Sequence, residues 1–237
     1  MPMMTSSGRP LLELHIEALF THDARGRICR INETDGARAP RFCFVRGPDA
    51  ALWRCRDDLP DETVRALAQL AAAEPVHGDL RAEPRNLDGL LTVLGTHRGR
   101  ASIEGGPAYA FPDRLPAVEV SRITRVELWR LRRLWPQLGD APGFESCEPF
   151  MAVVDDGFAV SLCHSSRLTA HAAEAGLETL AGYRRRGHAV AVVPAWAAAI
   201  RASGRVPLYS TSWDNLASQG VASRLGLFQY ATTIAIR

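Results

Sequence analysis

The segment Arg184-Arg185-Arg186-Gly187-His188-Ala189 sets three guanidinium groups in front of a glycine and an apolar run that continues to Ile200. A helix opening at this point exposes unpaired N–H groups that together carry about half a positive charge, and a loop without bulky side chains lets a pyrophosphate reach them. Gly187 gives the backbone that freedom, and the arginines add charge. The chemistry expected is capture of an anion, a nucleotide-like phosphate. The plainer reading is a solvated charge run followed by a turn, since so short a motif recurs by chance. Context favours the first: a strand candidate over residues 172–180 precedes the loop, and a second strand-to-helix unit, residues 207–215, follows at a spacing suited to a neighbouring strand.

The elements that would hold this loop can be read from periodicity. Leu12, Leu14 and Ile16 alternate with polar residues, so the stretch from Leu11 to Arg56 is expected to form strands and hairpins. Residues 60–73 place Val64, Leu67, Leu70 and Ala71 on one helical face behind Asp61 and Glu62. Residues 76–106 are rich in Gly, Arg and Pro, with one apolar segment at 90–94 and a boundary expected at Gly105-Gly106. Beyond it come a short strand at 108–111, a helix over 122–138, and strands at 150–154 and 158–163 joined by Asp155-Asp156-Gly157. Then follow the 172–180 strand, a helix over 187–202, a strand at 208–212, a helix over 215–225 and a strand or hairpin at 228–236. No internal repeat is visible. The order describes a mixed α/β layer fold, an α+β arrangement around a mixed sheet.

Composition narrows the function classes. The 237 residues are 46% hydrophobic and 23% charged, within the globular range. All 28 basic residues are Arg, so a lysine-dependent P-loop or Schiff base is excluded. The net charge of +2 gives no bulk field for a polyanion, which argues against an Arg-rich nucleic-acid binder. Residues 1–104 hold 14 Arg against 15 acids and residues 105–237 hold 14 against 11, so the second part is the better host for an anion. Five cysteines without paired spacing read as reduced thiols, not as a zinc site or disulfide scaffold, and no metal is expected. The longest apolar run, 12 residues, falls short of the roughly 20 that span a bilayer. The polar start lacks a signal-peptide core, so a cytoplasmic protein is expected, with no membrane and no nucleic acid among its partners.

On Arg184-Arg185-Arg186-Gly187-His188-Ala189 and the downstream Asn215, the chain resembles the GNAT superfamily of N-acetyltransferases over about residues 105–237. That family carries R/Q-x-x-G-x-G/A after an apolar strand. The resemblance implies a GNAT-like acyl-CoA-binding fold preceded by a smaller, strand-rich α+β region, residues 1–104, of unknown role. It implies acetyl-CoA as cosubstrate. The strand carrying Leu177 and Thr179 would splay from its neighbour to bind pantetheine, and the amides from Arg185 to Ala189, beside Arg184, Arg186 and His188, would hold the pyrophosphate. Asn215 and Ser218 would line the coenzyme arm. Many members place a Tyr proton donor seven residues after the Asn; here Ala222 stands there, which leaves Ser218 or a water as the donor. Pro194 interrupts the helix after the loop, and a kink is expected.

Attack by an alkylamine needs a base, because deprotonating a group of pKa about 10.4 at neutral pH costs roughly 4–5 kcal/mol. Glu174 is the first candidate and Glu178 the second. His164 and His171 read as structural, and Trp129, Trp135, Trp196 and Trp53 as packing. The function expected is acyl-CoA-dependent N-acylation, acetyl by expectation, of a small-molecule or peptide amine by direct attack in a ternary complex, with a homodimer open. The alternative is a non-catalytic acyl-CoA sensor whose first region contacts a protein partner. The acceptor is not legible, since acceptor pockets are built from variable loops.

Overall fold

The computed structural model describes residues 9–34, 36–76, 78–95, 102–136 and 144–237. In chain order its elements are α1 (Arg9–Leu19), β1 (Phe20–His22), β2 (Ile28–Ile31), β3 (Phe42–Arg46), β4 (Ala51–Cys55), α2 (Asp61–Ala72), α3 (Leu87–Val93), β5 (Ile103–Ala110) and β6 (Ser121–Ile123). A 3-10 helix (Arg125–Arg133) leads to α4 (Phe144–Cys147), β7 (Phe150–Asp155), β8 (Phe158–Leu168) and β9 (Ala172–Thr179). A 3-10 turn (Ala181–Tyr183) then precedes α5 (His188–Ala202), β10 (Val206–Ser210), α6 (Leu216–Arg224) and β11 (Phe228–Ile236). The architecture is the expected mixed α+β one.

Two expectations fail locally. Residues 9–19 form a helix, not a strand: Leu12, Ile16 and Ala18 are buried together with His15, a three-to-four-residue spacing that the short alternation Leu12, Leu14, Ile16 conceals. The 122–138 helix divides into β6, whose buried Ile123 pairs with Phe150, and the 3-10 helix, which starts only after an extended Thr124 closes a capping box with Glu127. Leu138 and Gly139 lie outside the described residues. α5 runs unbroken across Pro194.

The chain divides into two units. The first takes in Met1–Tyr109, Ser210–Asn215 and Gln229–Arg237. Its strand order is β4-β3-β11-β5, with antiparallel registers of β3 against β4 and of β11 against β3. α2 and α3 contribute Leu67, Ala71, Leu87, Leu90 and Leu91 to a core closed by Phe42, Phe44 and Ile236. Arg46 is fully buried in this unit, with Nη1 3.7 Å from Glu74. The Glu74 carboxylate also accepts the amides of Arg85 (2.7 Å) and Asn86 (3.0 Å), fastening the loop before α3.

The second unit takes in Ala110–Tyr209 and Leu216–Phe228, with strand order β10-β9-β8-β7-β6. β6 to β9 are antiparallel, and β9–β10 is parallel. Asp156 (φ 49°) and Gly157 (φ 78°) make the tight β7–β8 turn with the positive φ values that a two-residue hairpin requires. α5 buries Val192, Val193, Trp196, Ala197 and Ile200. Trp196 is core as expected, whereas Trp129 is 43% exposed under the Arg130 guanidinium. All five cysteines are free. Among the described residues no helix is long and apolar enough to cross a membrane.

Candidate functional site

β9 carries the site because its two edges differ. On one side its ladder to β8 runs from Leu168↔Ala173 to Ser161↔Thr179. On the other, the parallel register with β10 covers Val206↔Ala172, Pro207↔Ala173 and Leu208↔Glu174, while β9 continues five residues further. Residues 175–179 therefore have an edge without a β10 ladder, and backbone N–H and C=O groups on such an edge are ready to receive an extended ligand.

The chain then turns through Ala181–Tyr183 into the loop. Arg185 sits at φ 62° and Gly187 at φ 86°, and Gly187 is the N-cap of α5. A side chain at 187 would meet nothing within 4 Å, so the glycine is required for its left-handed backbone and not for space. The first amides of α5 are the unpaired ones of a helix N-terminus. Arg184, Arg185 and Arg186 are all exposed. Arg184 Nε donates to the Thr179 carbonyl at 3.2 Å, and Arg186 lies over the Tyr183 ring at 5.1 Å. Tyr183 Oη in turn donates to Asp155 at 2.7 Å, which pushes the phenol pKa up. The loop is held at both ends.

Beneath the open stretch is an aromatic cluster that the sequence did not announce. The His164 ring lies against Gly176, edge-on to Trp135 (4.9 Å) and stacked on Phe150 (6.0 Å). Burial pushes its pKa down to about 4, so it is neutral at physiological pH. Trp135 Nε1 donates to Glu178 Oε1 at 2.6 Å, and His164 Nε2 lies 3.9 Å from the same oxygen. With 41% of its side chain exposed, Glu178 presents a fixed, accessible carboxylate.

The structure thus brings Leu177, Glu178, Thr179, Arg184, Arg185, Arg186, Gly187, His188 and Ala189 into one strand–loop–helix run. Glu174 belongs to the same strand at its last laddered position but is 1% exposed, opposite Arg167 in the β8 register. Ser218, on α6 of the same unit, has its hydroxyl 2.7 Å from that of Tyr209. Asn215 falls among the residues of the first unit. Ala222 is fully buried, and His171 is exposed. Tyr209 and Trp135 were missed because their partners lie 9 and 43 residues away. Gly176, a glycine inside a strand, was the available signal of a close approach. Among the described residues no group of three or more His, Cys, Asp or Glu is placed to hold a metal ion.

No protein-family model and no curated protein matches the chain. Solved structures do. A GCN5-related N-acetyltransferase from Kribbella flavida is similar at 14% identity and TM-score 0.48, over 99% of this chain and 96% of that one. A GNAT-family acetyltransferase from Colwellia psychrerythraea is similar at 12% identity and TM-score 0.49, over 78% and 76%. A GNAT-family protein from Novosphingobium aromaticivorans is similar at 18% identity and TM-score 0.47, over 57% of this chain and only 64% of that one. At these scores the likeness settles neither activity nor substrate, and the site stands on its own geometry. The family of all three is the one that the Arg184–Ala189 segment resembles.

Proposed function

We propose that the chain is an acyl-CoA-dependent N-acyltransferase, with acetyl-CoA as donor and a primary amine as acceptor. One observation carries this reading: a strand edge left open over residues 175–179 leads directly into a positive-φ loop and the amide-bearing end of α5. An extended arm ending in a diphosphate matches that sequence of features, with main-chain pairing along Leu177 and Thr179 and the diphosphate at the amides from Arg185 to Ala189. The coenzyme supplies the thioester.

The residues around the open edge do the rest. Glu178 accepts the proton of the incoming ammonium, directly or through water. Its exposure and the Trp135 hydrogen bond support it over Glu174, which is buried away from solvent. A neutral His164 beside it adds no competing positive charge. The Ser218 hydroxyl, linked to that of Tyr209, supports a proton path to the leaving thiolate where Ala222 offers none. A coenzyme thiol with a pKa around 8.5 is in any case a fair leaving group.

The test is thiol release from acetyl-CoA across a panel of primary amines, with coenzyme binding followed by calorimetry. Glu178→Gln is expected to lower kcat by about 10²–10⁴ with coenzyme affinity retained. Coenzyme binding without turnover of any amine would overturn catalysis and leave the sensor reading that a buried Ala222 favours.

A further inference from the structure

The first unit contains a cavity of about 640 Å³ that the proposed transfer chemistry does not use. That is within the usual size range for small-molecule sites, about 300–1,000 Å³. Its position follows from two glycines. The segment Ser210–Asn215 lies on β5, with the Thr211 amide donating to the Pro107 carbonyl and the Trp213 amide to the Gly105 carbonyl, both at 3.2 Å. A methyl carbon on Gly106 would stand 2.0 Å from the Thr211 oxygen, and one on Gly105 would stand 2.1 Å from the Thr233 oxygen. Only glycine lets the backbones approach this closely, and the approach sets the Trp213 indole as a wall of the cavity.

The remaining lining has a definite polarity. Leu87, Ile103 and Ile234 give an apolar surface, and Glu83, Glu104 and Asp214 bring three carboxyl groups. The lining has one guanidinium, that of Arg81, which lies 4.9 Å over the Trp213 ring. Glu104 is matched from outside by Arg237 at 2.9 Å. Hydrogen bonding from Ser212, and then from the amides of Asp214 and Asn215, holds the Asp214 carboxyl below the usual range, so it is ionised at neutral pH. An anion would be repelled here. A cation has the carboxylates to attract it, and the Trp213 indole, whose face Arg81 already covers, offers its remaining surface to an apolar body.

We infer that this cavity binds an organic ammonium ion with an apolar body, its charge toward Glu83 and Asp214 and its body against Trp213, Ile103 and Ile234. The binding stands on the cavity alone and is independent of the transferase reading. Phenethylammonium chloride is the probe, titrated calorimetrically against the full chain. Its neutral analogue 2-phenylethanol, with the same body, is expected to bind at least tenfold more weakly. Trp213→Leu and Glu83→Gln should each weaken the amine at least fivefold with circular dichroism unchanged. Arg81→Leu should tighten it, because it frees the indole face and removes a like charge. Gly187→Asp, which strikes the coenzyme loop, should leave amine affinity as in the parent, so failure of the coenzyme reading is separable from failure here. Equal binding of amine and alcohol, or weakening by Arg81→Leu, would overturn the inference.

Discussion

Replacing Gly176 by Ala puts a methyl carbon 2.4 Å from His164 Nε2 and 2.6 Å from Cε1, well inside contact distance. The ring has little room to retreat, with the Trp135 ring centre 4.9 Å away on one side and that of the stacked Phe150 6.0 Å away on another. Overpacking of this kind costs about 1–3 kcal/mol. Gly176 has no positive φ, so alanine also narrows the unfolded ensemble and returns about 0.4–1 kcal/mol. The net expectation is a loss of about 1–2 kcal/mol, or roughly 2–8 °C in Tm for a chain of this length. The assay is urea unfolding of a double-mutant cycle with His164→Ala. Shortening the ring removes the clash, so the two substitutions together should cost at least about 0.5 kcal/mol less than the sum of the singles. A neutral Gly176→Ala, or strict additivity, would refute the packing argument. Because Glu178 is two residues along the same strand, the single variant should also lower activity, and His164→Ala should restore part of it.

Arg46→Ala leaves the fully buried Glu74 without its cation and should cost about 3–5 kcal/mol, read as a lower urea midpoint. His164 has a folded pKa of about 4 against the ordinary 6.5 of a histidine, so the unfolded chain binds the extra proton between those values. Its contribution is present above pH 6.5 and is lost as pH falls toward 4, at most about 3 kcal/mol. His164→Gln should flatten the fall of Tm across that window. Gly187→Ala sets a Cβ at φ 86° and should cost about 1–2 kcal/mol by strain alone, since no neighbouring atom lies within 4 Å. Trp135→Phe removes the 2.6 Å donor that fixes the Glu178 carboxylate and should lower kcat with little change in coenzyme affinity.

What could be read from the sequence was whatever is written locally. The Asp156-Gly157 turn, α2 behind Asp61 and Glu62, and the Gly187 entry into α5 depend on neighbours within a few residues, and all were legible. α1 was misread because three alternating apolar residues fit a strand until His15 and Ala18 are seen to be buried with them. The cluster of Trp135, His164, Gly176 and Glu178 joins three separate elements, and no spacing rule connects residue 135 to residue 178. The Trp213 wall likewise depends on Gly105 and Gly106, more than a hundred residues earlier, allowing a later segment to lie on β5. Side chains that meet through tertiary packing leave no period in the chain.

Amide hydrogen exchange with and without acetyl-CoA locates the coenzyme on the chain. New protection is expected in two stretches, residues 175–179 along the open edge of β9 and residues 185–190 at the head of α5, with both effects lost in Gly187→Asp. Protection elsewhere with these stretches unchanged, or no protection at millimolar coenzyme, would contradict this placement.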